Sequence, residues 1–187
     1  DAMAIASKPT TSKVEQMLIQ AVVKDGEKVI FRDVKDENSG QTYNLTVAQY
    51  IAYDLGSDNL GFSNELYTKI LQEAVEHCGE EGFKAEEYFT QHADINIASV
   101  AVRLSVDRFQ LAESLQVKET EQTLRDRVIH LVADFRLEYV SSHLKELNER
   151  LLQVKDPQEM QEVMSEIMRT QNLRNELAKK TGSNILV

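Results

Sequence analysis

The chain reads as an all-α protein: a compact helical subdomain with a short β-hairpin insertion, followed by a long antiparallel helical hairpin. Three observations predict this. Apolar residues recur in steps of three and four over most of the length, and 3.6 residues per turn returns such positions to one side of a helix. Helix breakers are scarce, with 2 Pro and 7 Gly in 187 residues, while Leu, Glu, Ala, Lys and Gln, all good helix formers, are plentiful. One stretch alone changes period. Val29-Ile30-Phe31-Arg32-Asp33-Val34 is β-branched and aromatic, as a pleated, half-buried surface requires.

Residues 1–11 read as a truncated or engineered start and are set aside. Ser12 can cap a first helix carrying Val14, Met17, Leu18, Ala21 and Val22, which ends before Gly26. The strand at 29–34, turn chemistry around Asn38-Ser39-Gly40, and a return along Thr42-Tyr43-Asn44-Leu45 make the hairpin. Thr46 with Gln49 three residues on is a capping-box pattern opening a helix through Tyr50, Ile51 and Leu55. A loop follows over 56–61. Ser63 or Asn64 starts a helix through Leu66, Ile70, Leu71, Ala74 and Val75 that stops at Gly79. Short helices are expected at 84–91, 95–104 and 106–115, and polar residues 116–122 form the junction.

The last third carries the longest periodic stretch. Leu124, Val128, Leu131 and Phe135, then Leu137, Val140, Leu144, Leu147, Leu151 and Val154, mark a helix over about 124–154, some 45 Å long at about 1.5 Å per residue. A helix of that length is expected to project. Asp156-Pro157-Gln158-Glu159 restarts a helix, with Asp156 as N-cap, Pro157 where no amide is needed, and Glu159 at N3. So short a connection forces the two helices antiparallel. The expected division is therefore 1–11, a compact subdomain over 12–120, and a hairpin subdomain over 121–187.

Charge placement supports that break. The net charge is −10, and residues 1–123 hold 11 Lys/Arg against 21 Asp/Glu while residues 124–187 hold 10 against 10. Acidity of this kind argues against direct nucleic-acid binding, which needs basic surface to displace phosphate counterions. The single cysteine, Cys78, excludes an internal disulfide and agrees with a cytoplasmic protein. No membrane-spanning run and no signal-peptide pattern is read.

No catalytic constellation emerges, and neither a metal nor another cofactor is expected. His77, His92, His130 and His143 are scattered, whereas zinc needs three or four N/S ligands at set spacings. Each histidine reads as a surface or cap residue, and Cys78 as a small buried or half-buried one. Gly79 and Gly82 make no phosphate loop. Asn44-Leu45-Thr46 matches a glycosylation acceptor and reads instead as strand end plus cap. Glu80-Glu81 and Glu86-Glu87 read as solvated faces.

Binding chemistry concentrates in the last helix. Met160, Met164 and Met168 fall four apart, with Val163 and Ile167 extending their arc. This stripe reads first as the hairpin seam and otherwise as an adaptable partner surface, which flexible thioethers suit. Leu173 and Leu177 fall more than a quarter-turn from the centre of the methionine arc, so one neighbour cannot cover both sets. Arg174, Lys179 and Lys180 beside them complement a helix C-terminus or meet a partner. Thr181-Gly182 is expected to end the helix.

Three stretches carry a family resemblance: Val14-Glu15-Gln16-Met17-Leu18-Ile19, then Asp58-Asn59-Leu60-Gly61-Phe62-Ser63-Asn64-Glu65-Leu66-Tyr67 leading into Ile70-Leu71, and finally Leu173-Arg174-Asn175-Glu176-Leu177-Ala178-Lys179-Lys180 with Gly182 after it. Their order, with a terminal hairpin, resembles the C-terminal, helicase-binding domain of bacterial replicative DNA primases over about residues 12–187. The hairpin at 29–45 looks like an insertion of the Bacteroidetes-type sequences and its role is open. The resemblance implies a non-enzymatic domain, alone a monomer, that binds the N-terminal domains of the hexameric replicative helicase and modulates it. Leu173, Arg174, Leu177, Lys179 and Lys180 are the expected contacts. It also implies that zinc-binding and polymerase modules lie upstream in a parent primase. Two other readings stand beside it, a helical adaptor that dimerises through its hairpin and a small helical enzyme with an unrecognised pocket.

Overall fold

A computed structural model describes residues 12–106 and 119–183, the last four of these by backbone alone. Among these residues are seven helices and one two-stranded antiparallel sheet, in the order α1 (Lys13–Asp25), β1 (Val29–Lys35), β2 (Thr42–Thr46), α2 (Val47–Ser57), α3 (Glu65–His77), α4 (Ala85–Thr90), α5 (Ile95–Val106), α6 (Glu121–Gln153) and α7 (Pro157–Ser183). The protein is thus mostly helical with one small sheet. Of the helix expected at 106–115, Val106 is instead the last residue of α5, and residues 107–115 with the junction residues 116–118 lie outside the described residues. Two compact units divide at Ile129 and His130, within α6.

In the first unit, local chemistry sets each element's start. Ser12 Oγ accepts from the Glu15 amide at 3.0 Å, capping α1. Thr46 and Gln49 form the reciprocal capping box that opens α2, and Asn64 Oδ1 accepts from the Leu66 amide at the start of α3. Gly26 lies where α1 must turn toward β1, and a Cβ there would run into the Val22 carbonyl. The sheet pairs Val29 with Thr46, Phe31 with Leu45, Val34 with Tyr43 and Lys35 with Thr42, with irregular steps between them. One irregularity centres on Asp33, whose φ of +53° is costly for a residue with a Cβ. Its amide donates to Asn44 Oδ1 at 3.0 Å, a side chain standing in for a ladder partner. At the turn, hydrogen bonds from the Asn38 amide and the Ser39 hydroxyl hold the Asp36 carboxyl below its usual range.

The core of this unit is built from Leu18, Ile19, Val22 and Val23 of α1, Ile30 of β1, Val47 and Ile51 of α2, Tyr67 and Ile70 of α3, Phe89 of α4 and Ile97 of α5. Buried Glu15 is satisfied by the loop before α3: the Ser63 amide and hydroxyl donate to its two oxygens at 2.8 and 2.7 Å.

In the second unit, residues 154–156 join α6 to α7, and Asp156 Oδ2 accepts from the Glu159 amide at 2.9 Å. Leu144 and Leu147 of α6 pack with Val163 and Ile167 of α7, flanked by Leu151 and Val154. Two pairs give the register: His143 Nε2 meets Glu166 Oε1 at 3.3 Å, and Arg150 Nη2 donates to Glu159 Oε1 at 2.7 Å. A seven-residue advance on α6 is matched by a seven-residue retreat on α7, so the helices are antiparallel. The expected stop at Gly182 is corrected, because α7 continues through it to Ser183.

Candidate functional site

All the candidate contact residues lie on α7, so the rotation of that helix decides which of them a partner could reach. The seam face is set by Val163, Ile167 and Thr170, which are 2%, 8% and 9% exposed. Met160, Met164 and Met168 are 38%, 52% and 65% exposed. The reading of the methionines as the seam is therefore corrected. Thr170 explains the shift: its hydroxyl donates to the Glu166 carbonyl one turn back at 2.8 Å, which lets a polar residue sit in an apolar seam. Counting threonine as polar moves the apparent centre of the apolar face toward the methionines.

The same rotation separates the two leucines. At about 100° per residue, Leu177 falls about 50° from the middle of the true seam and Leu173 about 90°. Leu177 is half-buried and Leu173 is exposed. Arg174 and Lys179 are exposed, and the Lys180 side chain lies outside those described. The hydrogen bond and charge of Glu159 hold the Arg150 guanidinium above its ordinary range, and this pair with His143–Glu166 closes one side of the hairpin.

The β-hairpin, which carries no evident chemistry in sequence, grips the first two turns of α6. Arg32 forms a forked pair with Glu121. The Arg125 guanidinium lies 5.8 Å from the centre of the Phe31 ring and donates to the Ile30 carbonyl at 3.4 Å. Arg127 reaches Asp25 at 3.1 Å and Glu119 at 2.9 Å. Burial pulls the Arg127 pKa down, but its hydrogen bonds and the charges of Glu119 and Asp25 outweigh that and raise it. Buried Asp25 also takes Lys28 at 2.6 Å. The contacts that reach α6 from β1 and from Asp25 were invisible in sequence because their partners are far apart along the chain.

Two of the four histidines meet in one network. Tyr88 Oη donates to Glu73 Oε2 at 3.0 Å and lies 3.2 Å from His77 Nε2, while His92 Nε2 sits 2.7 Å from the same Glu73 oxygen. His77 Nδ1 is 2.8 Å from Glu80 Oε1, and His92 Nδ1 accepts from the Asp94 amide at 2.9 Å. Burial, and then the bond to Glu73, push the Tyr88 hydroxyl above its ordinary pKa. Each of these groups is engaged by another, so the network ties α3 to α4 and to the turn after it. Cys78 is half-buried at the end of α3, its Sγ donating to the Val75 carbonyl at 3.1 Å.

A groove of about 340 Å³ between α2 and α3 is walled by Leu55, Leu60, Phe62, Leu71 and Val75, with Thr68, Gln72 and Glu76 as its polar lining. It holds no paired acid and base. Among the described residues no group of three or more His, Cys, Asp or Glu is gathered as a metal site would need, and no helix is long and apolar enough to cross a membrane.

Residues 4–185 match the model of a family described as a domain of unknown function, DUF8430. The chain belongs to the DUF8430 family. No curated protein and no solved structure matches it. In this DUF8430 chain ion pairs brace the helices, an apolar groove lies between α2 and α3, and the last helix exposes both apolar and basic residues.

Proposed function

We propose that this DUF8430 chain is the helicase-binding domain of a bacterial replicative DNA primase. In this reading α7 docks on the N-terminal domains of the hexameric helicase and keeps primer synthesis at the fork, in the cytoplasm. The finer architecture belongs with it: a compact helical subdomain that modulates the helicase, and a terminal antiparallel hairpin that attaches to it.

The observation that carries the reading is the exposure of the last described turns of α7. From Gln171 to Lys179 every side chain except half-buried Leu177 is exposed. A helix whose work is only internal packing keeps one face buried along its length, and α7 largely ceases to do so after Thr170. The exposed residues there, Leu173, Arg174 and Lys179, fall in the stretch that resembles the primase ending.

The experiment is calorimetric titration of the whole chain into the hexameric replicative helicase of the same genome. Saturable heat with co-elution is the expected result. Absence of both, with the chain shown to be folded by circular dichroism, would overturn the proposal.

A further inference from the structure

Gly56 and Gly61 both line the groove between α2 and α3, and the fold's own geometry requires neither. A glycine is required where φ is positive or where a Cβ would collide. Among the described glycines only Gly40 and Gly82 have positive φ, and the left-handed position after α2 is taken by Asn59, at φ +54°. A Cβ built on Gly56 or on Gly61 meets no atom within 4 Å. Gly56 moreover lies inside α2, where glycine is among the least favourable residues. What the two glycines do is keep the groove open and its backbone bare. Bare backbone on a groove wall lets another chain approach closely.

The charge around the groove is one-sided. Leu55, Leu60, Phe62, Leu71 and Val75 make its walls apolar, and Glu76 is the only charged lining residue. The stretch 47–77 that builds it holds one base, Lys69, against Asp54, Asp58, Glu65, Glu73 and Glu76. At about 100° per residue, Lys69 falls about 90° from the middle of the face that α3 turns to the groove. That face runs from Thr68 to Glu76, about two helical turns.

We propose that this groove binds an amphipathic helix of a partner protein, one with two aliphatic side chains a turn apart and Lys or Arg beside them. A trough between two helices accepts a third along its length, with its apolar side chains seated in the floor. The missing Cβ of Gly56 lets the two backbones come near the short end of helix packing, roughly 8 Å between axes. Lys or Arg on the incoming helix complements Glu76 and the acidic stretch around it, whereas an acidic segment would meet like charge. The groove belongs wholly to the first unit and is independent of α7 and of the helicase reading.

The test titrates the whole, isotope-labelled chain with an alanine-based peptide of about 18 residues, long enough to be helical. The probe carries Leu at two positions a turn apart and Lys on both flanks. A second peptide has Glu in place of Lys, and a third has Ser in place of Leu. The first is expected to shift the amide resonances of Leu55, Gly56, Leu71 and Val75 saturably. The Glu peptide is expected to bind about tenfold more weakly, and the Ser peptide not at all. Gly56→Ala is expected to raise the melting temperature, because its Cβ enters open space and favours helix. Gly56→Leu is expected to stay folded and to lose the peptide; should it fail to fold, weakened binding to Gly56→Ala decides. A lower melting temperature for Gly56→Ala would return Gly56 to the fold and overturn the proposal. So would equal binding of the Lys and Glu peptides, undiminished binding to the folded variants, or no saturable shift at the groove. If those resonances respond to hexanol and to no peptide, the occupant is a small apolar molecule. If they respond to the chain's own concentration, it is a second copy. Either result also overturns the proposal.

Discussion

Arg32 and Glu121, 89 residues apart, hold each other through three hydrogen bonds: Arg32 Nε reaches both carboxylate oxygens at 3.1 and 3.0 Å, and Nη2 reaches one at 2.8 Å. A planar guanidinium can meet a carboxylate in this forked way where a lysine could not. The pair fastens β1 to the first turn of α6 and so gives the β-hairpin a structural purpose. The hydrogen bond from Arg32, and then its charge, hold the Glu121 carboxyl below its ordinary value of 4.5. A carboxyl with a depressed folded-state pKa adds stability above its unfolded pKa and loses it as pH falls through the folded one. Melting temperatures of wild type and Glu121→Gln should therefore differ at pH 7 and converge below pH 4.5. A gap that stays constant down to pH 3 would show that the pair contributes nothing.

Glu15 supports a sharper expectation, because it is only 6% exposed. Its oxygens accept from the Ser63 amide and hydroxyl, tying α1 to the loop before α3. Glu15→Ala leaves that amide without its acceptor, and stability should fall by about 2–3 kcal/mol, the scale of a lost hydrogen bond to a charged group. Urea unfolding of the two proteins measures it. Ser63→Ala, which leaves the amide bond in place, should cost less.

Much of this fold is legible in the sequence, and what is legible is local. Ser12, Thr46 with Gln49, and Asp156 announce their helices because a cap is satisfied within three residues. The hairpin shows itself by its change of period. Asp33 does not: a positive φ at an irregular step depends on Asn44 across the sheet. Neither the Glu15–Ser63 nor the Arg32–Glu121 contact leaves a pattern, because residues that meet only after folding have no fixed spacing. The error at α7 has a different cause. Hydrophobicity ranks three methionines above one threonine, yet Thr170 satisfies its own hydroxyl and enters the seam.

That correction can be tested directly. Ile167 is 8% exposed and Met164 52%. Ile167→Ala should open a cavity between α6 and α7 and cost about 2–4 kcal/mol, within the range of large-to-small core changes. Met164→Ala, on an outward face, should change stability by no more than about 0.5 kcal/mol. Equal losses from the two would restore the methionines to the seam.

Leu173 and Leu177 separate folding from binding on one helix. Leu173 is 48% exposed, and its truncation removes little packing. If the primase-like ending is a helicase contact, Leu173→Ala should weaken binding by roughly 1–3 kcal/mol, the scale of an interface anchor, and leave the melting temperature nearly unchanged. Leu177 is half-buried on the seam side, about 50° from the middle of the buried face. Extending the register of the His143–Glu166 and Arg150–Glu159 pairs brings it level with Val132, which is 3% exposed. Leu177→Ala should therefore lower stability by about 1–2 kcal/mol, less than a fully buried leucine would. Its effect on affinity should follow from that loss of structure. Thermal melts and calorimetry on both variants decide the matter. Leu177→Ala with unchanged melting and weakened binding would move Leu177 from the packing face to the contact face, and Leu173→Ala with unchanged binding would remove Leu173 from the contact.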